Sequence, residues 1–263
     1  MPLYDEIGKG YDRTRQADPY LCRRIRHHLR LIPGGRYLDV ACGTGNYTLA
    51  IHRQDTPVIG IDTATQMIGA ARRKEGSVSW CLGNVAALPF PNDSFTGAFC
   101  VLGIHHFDNI RQVFTEVYRV LSSGRFVIFT ATPGQMEGYW LNHYFPKAMR
   151  KSMDKMPDRG KVTAALKRAG FGNIESEAYE VQENLKDLFL YSGKHRPEFY
   201  LNPEVRQGIS TFAALAGQDE VSEGCRQLEK DITSGDINGI IASYLYRSSG
   251  RGDYLFLTGE KKQ

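Results

Sequence analysis

Three features of the sequence predict an α/β fold built on a doubly wound, mostly parallel sheet. Short apolar runs alternate with helical stretches through the first half of the chain. The first run, Tyr37-Leu38-Asp39-Val40-Ala41-Cys42, turns through Gly43-Thr44-Gly45 into a helix at Asn46. The second, Val58-Ile59-Gly60-Ile61, is apolar throughout, as a strand buried on both faces should be, and ends in Asp62.

The elements follow in order. Asp18-Pro19 starts a helix, a capping acid followed by proline at the first helical position. Leu21, Ile25, His28, Leu29 and Ile32 fall at helical spacing, and Pro33-Gly34-Gly35 stops the helix. Residues 36–42 form strand one and 46–53 a helix. Residues 57–62 form strand two, 63–74 a helix rich in good helix formers, 77–82 strand three and 97–102 strand four. Ile110, Val113, Phe114, Val117 and Leu121 mark an amphipathic helix that Ser122-Ser123-Gly124 ends. Residues 125–132 are strand five, 161–169 a helix, 173–181 strand six and 253–259 the seventh. Residues 133–158 and 183–246 break this rhythm, and the second stretch reads as mainly helical. The organisation expected is a lid and helix over 1–32, a core over 33–132 and a cap segment over 133–160. A core helix and strand over 161–182, a helical cap insertion over 183–246 and a final strand over 247–263 complete it.

Composition sets bounds. A chain of 263 residues, 41% hydrophobic and 24% charged, is long enough for one α/β domain with an insertion. A net charge of +4 is too weak an excess to argue for nucleic acid. The five cysteines, Cys22, Cys42, Cys81, Cys100 and Cys225, include no C-x-x-C pair, and their odd number speaks against a disulfide framework. Cys42, Cys81 and Cys100 fall in apolar runs and read as buried thiols. No apolar run approaches membrane-spanning length, and the polar start Met1-Pro2-Leu3-Tyr4-Asp5-Glu6 does not read as a signal peptide. A cytoplasmic enzyme without a membrane or clear nucleic-acid partner is expected.

The glycine turn after strand one and the acid after strand two together describe a nucleotide-sized notch. Three ligands compete for it. A dinucleotide fingerprint needs a third glycine where Thr48 stands, and no lysine follows in the manner of a phosphate-binding loop. S-adenosylmethionine instead asks for a carboxylate facing its ammonium, a backbone notch and an acid for its ribose.

At this point the residues resemble a family. Leu38-Asp39-Val40-Ala41-Cys42-Gly43-Thr44-Gly45 resembles motif I of class I S-adenosylmethionine-dependent methyltransferases, and Ile61-Asp62 resembles motif II. Gly83-Asn84-Val85-Ala86-Ala87-Leu88-Pro89-Phe90 is similar to the segment that wraps the adenine. Phe95 through His106-Phe107 and Glu116-Val117-Tyr118-Arg119-Val120-Leu121 resemble the rest of the branch with quinone-biosynthesis and trans-aconitate methyltransferases, the methyltransferase type 11 domain. The likeness covers roughly residues 30–135 and fades beyond. It implies a Rossmann-like, seven-stranded sheet whose last strand is antiparallel, and S-adenosyl-L-methionine as cofactor. It also implies roles: Asp39 helps hold the methionine moiety, with the backbone of Ala41, Gly43 and Gly45 close by, and Asp62 binds the ribose hydroxyls. Asn84 faces the adenine amino group where the family usually carries aspartate, Val85 offers the ring a backbone N–H, and Leu102 and Gly103 lie beside the sulfonium. Thr96, where the family usually has aspartate, receives no role.

Tyr4-Asp5 and Tyr11-Asp12-Arg13-Thr14-Arg15 read as a lid that folds over the cofactor, or as a plain packing arm. In related enzymes the lid carries a tyrosine and an arginine near the methionine carboxylate, which points to Tyr11 and Arg15. His105 and His106 follow strand four, at the edge where such folds bind ligands, and are candidate general bases or structural residues. As neighbours on a strand they would face opposite ways, so no metal site is expected. The cap mixes aromatics with cations, and Tyr139, His143, Tyr144, Tyr191 and Arg196 are candidate contacts to a small-molecule acceptor that is acidic or aromatic. The same residues fit a plain helical surface with a core stripe.

The expected reaction is methyl transfer from S-adenosylmethionine to an O, N or C nucleophile by in-line displacement. The rivals are a non-catalytic S-adenosylmethionine-binding regulator, an RNA or protein methyltransferase, and an NAD(P)-dependent oxidoreductase.

Overall fold

The computed structural model describes residues 11–74, 76–248 and 250–262. Its strands are β1 (Tyr37–Val40), β2 (Val58–Asp62), β3 (Ser79–Leu82), β4 (Gly97–Val101), β5 (Gly124–Thr130), β6 (Gly172–Tyr179) and β7 (Tyr254–Lys261). They form one sheet in the order β3-β2-β1-β4-β5-β7-β6. The first five pair in parallel, while β7 runs antiparallel to both β5 and β6. This is the expected Rossmann-like sheet with its reversed last strand.

Side chains alternate across the sheet with period two. Tyr37, Phe99, Val127 and Phe129 pack on the face shared with Leu21 and Ile25 and with much of the cap. Leu38, Val40, Ala98, Cys100, Phe126 and Ile128 pack on the other, against Phe114, Val117, Val162 and Leu166 of two helices, Ile110–Val120 and Arg159–Ala169. Cys100 is buried, whereas Cys81 is half-exposed because β3 is an edge strand.

Three departures from expectation have local causes. The helix Pro19–Leu29 starts where predicted, with Asp18 accepting from the Leu21 N–H at 2.9 Å, but it ends four residues before Pro33. Arg30 there adopts a left-handed conformation (φ 52°), which turns the chain and leaves Ile32 exposed beyond the helix. Residues 183–196 form no helix, and the helical part of the second cap segment begins only at Pro197. That loop is instead tied down by polar pairs. Buried Lys194 donates to Glu180 at 2.6 Å and to Asp253 at 2.7 Å, joining the loop to the start of β7. Finally, the adjacent histidines lie on a 3₁₀ turn (Ile104–His106) rather than on the strand, so their rings come together, with centroids 3.9 Å apart.

The first cap segment folds as Pro133–Met136, Leu141–Tyr144 and Pro146–Lys155, the second chiefly as Gln218–Ser234 and Ile237–Ser248. Among the described residues no helix is long and apolar enough to cross a membrane.

Candidate active site

The carboxyl edges of β1, β2 and β4 open onto a cavity of about 720 Å³. The backbone is under strain there. Ala41 just after β1 (φ 61°) and Leu102 just after β4 (φ 52°) both hold left-handed conformations that cost a non-glycine residue about 1 kcal/mol. Between them Gly103 lets the two turns approach: a Cβ on it would lie 2.8 Å from Cys100 Sγ and 3.1 Å from Ala41 Cβ.

Three carboxylate-bearing or amide side chains face this edge. Asp39 is buried, and its Oδ2 accepts from Thr48 Oγ1 at 2.6 Å. Burial pushes its carboxyl up to about 7; the Thr48 hydrogen bond opposes that rise and the nearby Asp62 charge adds to it. Thr48 is thus the partner of the buried acid. Asp62 accepts from the Gly43 N–H at 2.8 Å and the Ala64 N–H at 2.9 Å, contacts that lock its carboxylate at the head of the glycine turn. Asn84 turns its Oδ1 back to the Ala86 N–H (2.8 Å), closing its own loop. That loop is pinned from behind: Glu116 accepts from the Leu88 N–H at 2.8 Å, and Arg119 donates to the carbonyls of Leu88 and Phe90 at 2.9 and 2.8 Å.

The segment Tyr11–Arg15 folds over the glycine turn. Asp12 Oδ1 accepts from Thr44 Oγ1 (2.5 Å), Lys74 Nζ (2.9 Å) and Asn46 Nδ2 (3.0 Å). Arg15 donates through Nη1 to the Tyr11 hydroxyl at 2.8 Å, and through Nε and Nη2 to the two oxygens of Asp187 at 2.5 and 3.3 Å. Tyr4 and Asp5, the rest of the expected lid, lie outside the described residues.

Both histidines line the cavity. Burial, and then the neighbouring His106, Lys155 and Arg15, push the His105 imidazole well below its ordinary pKa. It is therefore neutral at physiological pH, and its buried Nδ1 has no hydrogen-bond partner.

Residues 38–129 match the family model of a methyltransferase domain. A putative methyltransferase from an antibiotic biosynthesis pathway of Anabaena variabilis superposes with a TM-score of 0.82 at 29% identity, over 94% of this chain and 98% of that one. Residues 38–129 thus carry a methyltransferase domain. A demethylmenaquinone methyltransferase of Symbiobacterium thermophilum is 32% identical over 145 residues, 49% of this chain and 58% of the relative. The chain thus spans little more than half of that relative's length. Another, from Lysinibacillus sphaericus, is 25% identical over 208 residues, 67% of this chain and 89% of the relative.

The cavity wall brings together Tyr11, Arg15, Asp39, Ala41, Gly43, Asp62, Asn84, Val85, Leu102 and Gly103, with the two histidines. The chemistry of this set fits S-adenosylmethionine, the cofactor of the family: two carboxylates and one guanidinium for a zwitterionic, sulfonium-bearing molecule, beside a strand edge with little side-chain bulk. Gly45 lies outside that wall. Its left-handed turn (φ 77°) rests on Trp80, whose ring would stand 2.1 Å from an added Cβ, so packing alone demands glycine there.

The five residues expected to touch the acceptor are also elsewhere. Tyr139 and Tyr191 stack on each other in the core, with centroids 3.9 Å apart, and Tyr139 donates to the Asp253 carbonyl. Tyr144 is buried, donating to Asp231 at 3.0 Å; His143 is exposed beside it; Arg196 lies over the Phe199 ring. Their aromatic content holds the cap together instead of lining the cavity. The cap does line it, with Met136, Ser152, Met156, Phe189, Leu190, Ile209 and Thr211. The sequence marked one missed residue: Asp187 is a lone acid inside the apolar run Leu185-Lys186-Asp187-Leu188-Phe189-Leu190, a pattern that predicts a buried, paired carboxylate.

Proposed function

We propose that this methyltransferase methylates a neutral, largely apolar ring acceptor of the phenol or quinol type. One observation carries the reading. The cavity runs from the cofactor notch to a cap wall of methionine, phenylalanine, leucine and isoleucine, with the uncharged hydroxyls of Ser152, Ser210 and Thr211 among them. Arg15 is the one lysine or arginine among the described lining residues, and Asp187 already pairs with it. An acidic acceptor finds no other cation there, whereas a flat apolar ring suits polarisable methionine and aromatic side chains. The relatives' names, demethylmenaquinone methyltransferases, support a quinol ring. Open space on the acceptor side favours transfer over a role as a cofactor-sensing regulator.

Bound S-adenosylmethionine supplies a sulfonium-activated methyl group, open to in-line displacement by the acceptor's nucleophile. This chain's residues do the rest. Asp39 and Arg15 hold the charged methionine tail, Asp62 takes the ribose hydroxyls, and the loop of Asn84 and Val85 takes the adenine. The apolar cap wall excludes water from the reacting atoms. His105, kept neutral by burial, accepts the proton that an acceptor hydroxyl gives up.

Calorimetry with S-adenosylmethionine and S-adenosylhomocysteine tests the cofactor, and absence of binding sinks the whole reading. Methyl transfer is then compared between a naphthohydroquinone and small dicarboxylic acids. Turnover of the acids alone overturns the acceptor class.

A further inference from the structure

We propose that Asp187 positions Arg15 to take the carboxylate of the cofactor's methionine tail, so that the grip on the cofactor depends on the loop over residues 183–196. The proposal rests on the reading that this site binds S-adenosylmethionine.

Asp187 is buried, and both of its oxygens are engaged: Oδ1 accepts from Arg15 Nε at 2.5 Å, and Oδ2 from Arg15 Nη2 at 3.3 Å and from the Tyr47 hydroxyl at 3.1 Å. A guanidinium held on its Nε–Nη2 side by a carboxylate has its plane fixed, which also sets the direction of its Nη1–Nη2 edge. Backbone contacts hold the two partners in register. The Leu188 N–H donates to the Thr14 carbonyl at 2.9 Å, and the Lys186 N–H donates to Asp18 Oδ2 at 3.1 Å. The loop therefore closes on the Tyr11–Arg15 segment through main chain and side chain together.

Arg15 and Asp187 both line the cavity. The only anionic group of S-adenosylmethionine is its tail carboxylate, and Arg15 is the one lysine or arginine in the described wall. A long, flexible arginine recognises a carboxylate poorly unless its rotamer is fixed beforehand, because ordering it on binding costs side-chain entropy. Asp187 supplies that order from a loop distant in sequence. The same loop brings Phe189 and Leu190 to the acceptor wall, so acceptor contacts and cofactor grip share one piece of chain.

Asp187→Asn tests this by calorimetry with two probes. S-adenosylhomocysteine carries the amino-acid tail; methylthioadenosine keeps the adenosine and the sulfur but lacks the tail. The variant is expected to bind S-adenosylhomocysteine about tenfold more weakly, the scale of one hydrogen bond to a charged group, while methylthioadenosine changes by less than about twofold. Retained methylthioadenosine binding also shows that the notch is folded. Tyr47→Phe, which takes one hydrogen bond from Asp187 and leaves Arg15 intact, is expected to reproduce the pattern at about threefold; it carries the test should Asp187→Asn not fold. Unchanged or tighter S-adenosylhomocysteine binding in both variants, or equal weakening of both probes, overturns the positioning role. A wild-type protein that binds neither probe overturns the reading of the site itself.

Discussion

The cofactor side and the acceptor side of the cavity are built in opposite ways. On the cofactor side, Asp39, Gly43, Asp62 and Leu102 stand on or just past the ends of neighbouring parallel strands, and sheet pairing alone sets their spacing. On the acceptor side, Met136, Ser152, Phe189 and Thr211 come from separate stretches of the cap and meet only through tertiary packing. Ser152 and Thr211, for example, meet through a buried hydroxyl pair 2.9 Å apart. The first side is fixed by local rules common to many sequences. The second is assembled by packing of the cap, and substrate choice is expected to be set there while the cofactor stays the same.

Substitutions that act on one side alone sharpen this contrast. The largest effect is expected for Asp62→Ala, which removes the proposed ribose acceptor and two backbone contacts that shape the glycine turn. Affinity for S-adenosylhomocysteine should fall by on the order of a hundredfold or more, and near-wild-type binding in a calorimeter would remove the ribose assignment. Next comes His105→Ala, with a drop in kcat of about a hundredfold and little change in cofactor affinity. Because the His105 pKa lies well below its ordinary value, the neutral base persists as pH falls. The wild-type rate should therefore hold as pH drops through about 6.5, the ordinary histidine pKa; a loss centred there would exclude His105 as the base.

Met156→Lys places a cation in the apolar wall. KM for a quinol acceptor should rise about tenfold with cofactor affinity unchanged, and a parallel loss of cofactor binding would mean the two sides are not separable.

Asp39→Asn should separate stability from function. Burial raises the Asp39 carboxyl to about 7, so between roughly pH 4 and pH 7 the folded state holds a proton that the unfolded chain has lost. Stability is accordingly lost as pH rises through that window. The asparagine variant should melt several degrees higher than wild type above pH 7, with little difference below about pH 4, yet bind the cofactor less well. A lower melting temperature at pH 8 would contradict the uncompensated burial of this charge. The smallest effect is expected at the Asp12 latch, which is partly exposed. Asp12→Ala should speed S-adenosylhomocysteine release by only about two- to fivefold in stopped flow; a rate unaltered within error would show that the latch does not gate exit.

The same division explains what the sequence revealed. Strands buried on both faces are legible as apolar runs, and the glycine turn and Asp62 follow from their positions at strand ends. Thr48 was visible only as a glycine that was missing, because its hydrogen bond to Asp39 spans a turn whose shape the sequence does not state. Gly45 is demanded by a neighbour that the motif does not name, Trp80 of another strand. In the cap, Tyr139 and Tyr191 have the composition of a binding surface and the environment of a core. Aromatic content does not say which way a ring faces. That is settled by partners such as Asp253 and Trp140, far away in the chain.

The position of β7 has a consequence in time. β6 pairs only with β7, and the whole second cap segment lies between them in the chain. Joining them means closing a long loop, an entropic cost that comes due before any contact offsets it. The parallel strands β1, β2 and β3 pair through short crossovers. In refolding, amides of β1, β2 and β3 should gain protection from hydrogen exchange before those of β6 and β7, and simultaneous protection would contradict this order. Tyr254, the β7 residue that reaches the cavity, would then be among the last side chains to arrive. A refolding chain would hold the glycine turn and Asp62 in place while its acceptor chamber was still open.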